Sequence, residues 1–335
     1  MSRVAACIAI VAVALAAGCG GETESVGPKS GGQPKVAFIP QLVGIPYFTA
    51  MERGGKKAAK EFDVKFTYRG APTASAPQQV QIMDNLVRQG YKAISVSVLD
   101  PASINPSIKA ARSKDVSVLT SDSDSPDSER QAYVAQATDQ ALGFTLMDRL
   151  AKQVGGKGQI GVVSGEATAT NLNSWIKFMK QRAKERYPGI DIVDTRFTKG
   201  GATEDAQRQA QDLMTSYPKL KGLVAVASTT VPGVAQAVQG AGKTGKVKVI
   251  GYGSPETVKP FVKKGIMKES ILWNPEDLGY LTVWAMRQVA DGKSFKASNE
   301  VPGLDKPVAY DKAKKQLLLG PPLVIDKANV DKYEF

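Results

Sequence analysis

The sequence predicts an α/β protein built from two doubly wound parallel-sheet lobes. From residue 35 onward, short apolar β-rich runs alternate with helical stretches. Alternation of this kind builds a parallel sheet with helices on both faces. The series halts where turn residues cluster in Ser125-Pro126-Asp127-Ser128-Glu129, and then begins again. A chain of 335 residues carries a prior of two domains and buries most of its apolar surface.

In the first series, strands are expected at 36–39, 64–68, 93–98 and 116–120. Helices are expected between them at 46–61, 76–89 and 104–113. The second series opens with a helix at 138–153, broken by Gly155-Gly156-Lys157-Gly158. Strands follow at 160–163, 190–197, 223–226, 247–250 and 270–273. Helices at 173–187, 204–216, 232–240 and 257–264 separate them, and a helix at 277–290 comes last. The first change of domain is placed near 125–136.

Ahead of both series lies a secretory leader. Arg3 precedes an apolar run over 4–17, which ends in Leu15-Ala16-Ala17-Gly18-Cys19. The run is shorter than the roughly 20 apolar residues of a membrane-spanning helix. A cysteine right after small residues is similar to a bacterial lipobox, with cleavage before Cys19 and a diacylglycerol on its thiol. The alternative is an ordinary signal peptide cut elsewhere. Cys7 leaves with the leader, so the exported chain keeps one cysteine and no disulfide. Residues 20–34 are rich in Gly, Ser and Pro and read as a tether with a reach of about 20 Å.

The formal charge is +12, with the lysines scattered along helix faces and no aromatic residues between them. That pattern reads as a solvated surface, attracted at most to anionic lipid or wall polymer, and no nucleic-acid partner is expected. The chain contains no histidine. His-based acid–base catalysis, Ser-His-Asp triads and most zinc sites are therefore excluded. Two-carboxylate and Ser-Lys chemistry remain open. No phosphate-cradling GxxxxGKS loop or GxGxxG turn follows a strand, so no cofactor and no metal is expected.

In open parallel sheets, ligands bind beyond the carboxyl ends of the strands. The residues there include Gln41, Tyr47 and Phe48 after the first strand and Asp122 and Asp124 after the fourth. In the second series they include Asn171, Leu172, Ser228, Tyr252, Trp273 and Asn274. The set is polar and aromatic, and uncharged apart from the acids. It suits a small carbohydrate, with aromatic faces for its apolar side and amide, hydroxyl and carboxylate groups for its hydroxyls. Each residue also has a structural use. Tyr47 and Phe48 can staple a helix to the core, Asp122 can cap or turn, Trp273 can be core, and Asn171 or Asn173 can cap a helix.

Four stretches make the chain resemble a known family. They are Ile39-Pro40-Gln41-Leu42-Val43-Gly44-Ile45-Pro46-Tyr47-Phe48, Leu119-Thr120-Ser121-Asp122-Ser123-Asp124, Asn171-Leu172-Asn173-Ser174-Trp175 and Leu272-Trp273-Asn274-Pro275-Glu276-Asp277-Leu278-Gly279-Tyr280. They resemble the type I periplasmic binding proteins of sugar ABC transporters, in the branch that binds rhamnose and autoinducer-2. The resemblance spans 35–335 and implies two lobes joined by a three-segment hinge, with ligand trapped between them. The last stretch, from Leu317, would return to the second lobe. The implied division is 1–18 signal peptide, 19–34 lipidated cysteine and tether, 35–128 plus 275–306 first lobe, and 129–274 plus 307–335 second lobe.

The family's contacts carry over unevenly. The acid after the fourth strand is kept as Asp122. The lysine that autoinducer-2 binders place after the first strand is Gln41 here. Their Asp-Gln pair falls on Asn171 and Leu172, and their Pro and Ala on Val226 and Ser228. The usual Trp before the acid is Ser121. The site is thus more neutral, which favours a neutral sugar or polyol, rhamnose-like as a first expectation. The ligand-binding set is Gln41, Tyr47, Phe48, Asp122, Asn171, Leu172, Val226, Ser228, Trp273 and Asn274, and Cys19 is the lipidation site.

The function expected is a monomeric, lipid-anchored solute-binding protein on the outer face of the cytoplasmic membrane. It would close over a sugar by hinge motion and present it to an ABC permease, and so indirectly to the ATPase. The alternative is a sensory subunit that shows a sugar-like signal such as autoinducer-2 to a receptor. An enzyme using Asp122 and Asp124 is disfavoured. Those acids are separated by one residue on a turn and are not set across a cleft at roughly 5–9 Å.

Overall fold

The computed structural model describes residues 33–335, so the leader, Cys19 and most of the tether lie outside the described residues. The chain begins as a β/α series: β1 (Lys35–Ile39), α1 (Pro46–Glu61), β2 (Lys65–Tyr68), α2 (Ala76–Arg88), β3 (Ala93–Val96), α3 (Pro101–Arg112) and β4 (Ser117–Ser121). These strands pair in parallel, with Val36 between Phe66 and Ala93 and Ile94 beside Val118. All residues of β3 and β4 are buried, as expected for strands covered on both faces.

An unforeseen strand lies between β4 and the second series. β5 (Ala132–Ala135) pairs with β4 through Leu119↔Ala132, so the first crossing between lobes comes after Gln136 and not near residue 128. The second series then runs through α4 (Asp139–Val154), β6 (Lys157–Ser164), α5 (Thr170–Arg186), β7 (Gly189–Phe197), α6 (Thr203–Ser216) and β8 (Leu220–Ala225). It closes with α7 (Thr230–Gly240), β9 (Lys248–Gly251), α8 (Pro255–Lys263) and β10 (Glu269–Leu272). Its sheet has the order β7-β6-β8-β9, and single bridges from Val249 to Met267 and Tyr252 to Ile271 add β10.

The chain returns through α9 (Pro275–Ala290), β11 (Ser298–Asn299), β12 (Val308–Asp311) and β13 (Gln316–Leu318). β13 pairs with β5, so 308–318 belongs to the first sheet and not, as expected, to the second lobe. Only after it does β14 (Leu323–Asp326) pair antiparallel with β10. Three segments thus cross between two lobes, after β5, β10 and β13. The misplaced strands are short and end-on to turns, and their sheet is chosen by non-local pairing that no local pattern encodes.

Local chemistry sets the helix ends near the crossings. Thr138 caps α4, accepting from Ala141 N at 3.2 Å, and Gly155 ends that helix in the left-handed region. Asn274 caps α9, with Glu276 and Asp277 in its first turn where the helix dipole favours acids. α9 lies so close to α1 that a Cβ on Gly54 would meet Glu276 O at 1.8 Å, and one on Gly279 would meet Met51 O at 2.0 Å.

Candidate ligand-binding site

Strand ends from both lobes converge on a cavity of about 60 Å³. From the first lobe come Gln41, Leu42 and Ile45 of the loop after β1, Tyr47 and Phe48 in the first turn of α1, and Asp122 after β4. From the second come Asn171, Leu172 and Trp175 of α5, 226–229 after β8, Tyr252 after β9, and Leu272 and Trp273 at the end of β10. Parallel strands pointing one way place all their following loops at one edge.

Asp122 is 3% exposed and is the sole ionisable acid lining the cavity; no lysine or arginine lines it among the described residues. Its backbone is left-handed at φ 69°, a conformation that Asp tolerates better than most residues. That strain is held from both sides. Asp122 N–H donates to Val134 O at 3.1 Å, and Tyr133 OH donates to Asp122 O at 2.9 Å. The carboxylate accepts from Tyr47 OH at 2.7 Å and from Ser97 Oγ at 2.6 Å. Burial pushes its pKa up to about 6 against these two bonds, which favour the ionised form. Each oxygen keeps lone pairs for a ligand hydroxyl.

The walls are aromatic. Trp273 meets Tyr47 edge to face at 5.8 Å, and Trp175 lies 4.7 Å from Tyr252 and 5.6 Å from Trp273, ring centre to ring centre. Trp175 is fixed by its indole N–H, which donates to Asp139 at 2.9 Å, while Ser174 Oγ donates to the same carboxylate at 2.6 Å. Burial raises the Asp139 pKa, and these two bonds oppose the rise. Tyr252 OH is buried and has no hydrogen-bond partner among the described residues. An unpaired buried hydroxyl is costly, so a ligand that bonds to it gains an advantage over one that does not.

The lobes also touch around the cavity. Thr170 Oγ1 donates to Asp124 O at 2.8 Å, and Ala74 N–H reaches Gly200 O at 3.5 Å.

Nine of the expected residues line this cavity, and Asn274 does not. Asn274 Oδ1 accepts from Glu276 N at 2.9 Å and Asp277 N at 3.4 Å, so helix capping takes the group expected to face ligand. Gln41 lines the cavity but spends a donor on Val98 O at 3.2 Å. Asp124 belongs to a different arrangement, a bidentate pair with the buried Arg130 at 2.5 and 2.6 Å. Trp175 and Ser97 were not among the expected site residues. Trp175 follows Asn171 by one helical turn, a spacing that signals a shared face once α5 begins at Thr170. Ser97 carries no sequence signal, since its role depends on β3 lying beside β4.

Residues 36–294 match the periplasmic binding protein domain. The D-ribose/D-allose-binding protein of Pseudomonas aeruginosa is 25% identical over 244 residues, covering 70% of this chain and 75% of that one. LsrB from Clostridium saccharobutylicum, solved in complex with AI-2, is 28% identical with a TM-score of 0.83, covering 90% of this chain and 100% of that one. An ABC transporter solute binding protein from Clostridium phytofermentas, solved with bound L-rhamnose, shares the fold. Its TM-score is 0.84 at 24% identity, over 90% of this chain and 98% of that one. With a match running from β1 into the strands' return helix and beyond, and two lobes joined by three crossings, this chain belongs to the type I periplasmic binding proteins.

Proposed function

We propose that this chain is the lipid-anchored, extracytoplasmic solute-binding protein of an ABC transporter for a small neutral sugar or polyol. The observation that carries the reading is Asp122. It is a buried carboxylate oriented by two hydroxyl donors, facing an aromatic-walled cavity between two lobes. Charge-assisted bonds from ligand hydroxyls to such an acid are worth roughly 1.5–3 kcal/mol each. Aromatic rings cover the apolar face of a sugar ring. The absence of lining cations disfavours an anionic ligand.

The protein acts as a monomer without enzymatic turnover. It closes over its ligand and delivers it to a membrane permease driven by an ATPase, with Cys19 as the anchor. A rhamnose-like sugar is the first ligand to test. Gln41, with its amide engaged by Val98 O, supplies no positive charge where autoinducer-2 binders have a lysine, so a signal-presenting role for autoinducer-2 is the weaker reading.

Thermal-shift screening against neutral pentoses, deoxyhexoses, hexoses and polyols tests the proposal. A ligand at a hundred times its Kd should stabilise the protein by about 2.7 kcal/mol. Stabilisation by anionic compounds and by none of the neutral ones would refute the ligand class. Intact mass of membrane-extracted protein should show acylated Cys19 at the N-terminus.

A further inference from the structure

The edge of the first sheet opposite the cavity carries a row of lysines. Parallel register places Lys35, the first residue of β1, beside Lys65, the first residue of β2. On the other side of β1, Lys92 N–H donates to Lys35 O at 2.8 Å. Ser117 N–H donates to Lys92 O at 2.9 Å, which brings the turn containing Lys114 to the same edge. All four lysines are exposed. None pairs with a carboxylate among the described residues. Helices α1 and α2 run back against the strands, so their last turns add Lys60 and Arg88. The acids of the same turns are fewer: Glu61, which accepts from Tyr280 OH, and Asp63 and Asp115.

Like charges side by side on neighbouring strands repel, and the register itself needs only their backbone. Such a row is stabilised by an anionic surface. The chain also enters the lobe here: Pro34 O accepts from Lys65 N at 3.0 Å, directly before β1. Cys19 precedes Gln33 by only 14 residues, so the anchor joins the chain next to this edge.

We propose that this lysine edge docks on anionic lipid headgroups of the membrane that holds the anchor, setting the first lobe base-down on the bilayer. The inference rests on the reading of Cys19 as that anchor. Attraction of a lysine to an anionic leaflet fades within a Debye length, about 10 Å at 0.1 M salt, so it acts only on groups held near the surface. The tether's entry point supplies that proximity for this edge and not for the far pole of the second lobe.

The test uses the exported chain from Gly20 onward, without leader or lipid, so that the edge is read alone. Sedimentation is measured with vesicles of equal phosphatidylglycerol and phosphatidylcholine, and with phosphatidylcholine alone. Binding is expected only to the anionic vesicles, and should vanish in ~1 M salt, where the Debye length falls to about 3 Å. Adding Lys35→Gln, Lys65→Gln and Lys92→Gln should weaken it on the order of a hundredfold. Adding Lys219→Gln, Lys221→Gln and Lys246→Gln at the second lobe instead should leave it within a few fold. All chains carry the same N-terminal segment, so differences between them belong to the substitutions. Equal loss in both triple variants, or none in the first, overturns the proposal. The anchor is judged separately by the mass of the unsubstituted protein, so failure of one reading does not mask failure of the other.

Discussion

The indole N–H of Trp273 donates to the Tyr47 hydroxyl at 3.0 Å, and that hydroxyl donates onward to Asp122 at 2.7 Å. Trp273 directly follows the strand that hands the chain from the second lobe to α9, while Tyr47 lies in the first turn of α1 in the first lobe. One hydrogen-bond chain therefore ties a crossing segment to the acid that faces the cavity. Any ligand bonded to Asp122 meets a group whose orientation depends on both lobes.

Tyr47→Phe breaks that chain at its middle. It removes one donor from Asp122 and leaves the Trp273 N–H buried without its acceptor. A buried donor left unpaired costs roughly 1–3 kcal/mol. Urea unfolding should show a loss in that range. Because the Tyr47 bond lowers the Asp122 pKa, its removal should also move the acid's titration upward.

Ligand affinity should fall as pH drops through the Asp122 titration. The acid is raised to about 6, chiefly by burial, and hydroxyl donors favour its ionised form. Between pH 7 and pH 5 the protonated fraction comes to dominate, and the apparent Kd should rise roughly tenfold. Calorimetric titration across that range checks it. A flat profile would mean that the ligand does not bond to the carboxylate.

Stability of the ligand-free protein should run the other way. The folded pKa of Asp122 lies above its ordinary 3.8, so the native state binds more protons between those values. The contribution is fully present below about 3.8 and is lost as pH rises through about 6; it amounts to about 3 kcal/mol. Asp122→Asn keeps a residue that tolerates the left-handed backbone and removes the titration. Its melting temperature at pH 7 should match or exceed that of the parent, with affinity at least about tenfold lower. Loss of stability with unchanged affinity would identify Asp122 as a turn residue only.

Gly279→Ala should unfold the first lobe more readily without touching the cavity. The added methyl meets Met51 O at 2.0 Å, so α1 and α9 must separate. Overpacking of this kind costs typically 1–3 kcal/mol. Denaturant midpoints should fall accordingly, while the affinity of the folded fraction stays near the parent's.

Local apolar periodicity dictates the alternation of strands and helices, and with it the single edge where the loops collect. α1 spans the residues expected of it, because a proline start and an amphipathic run are local signals. Tyr47, Phe48, Asp122 and Trp273 were legible for the same reason, since each follows a recognisable strand. The remainder depends on contacts between residues distant in the chain. Ala132–Ala135 and Gln316–Leu318 join the first sheet through pairing between residues far apart in the chain. Asn274 and Asn171 both precede or open a helix, yet one spends its oxygen on a cap and the other reaches the cavity. Ser97 becomes a partner of Asp122 only because β3 and β4 are neighbours. The raised pKa of Asp122 likewise comes from burial between lobes, a property of the surroundings and not of the residue. Local patterns report backbone preference, whereas hydrogen-bond partners and desolvation depend on which distant residues fill the same space.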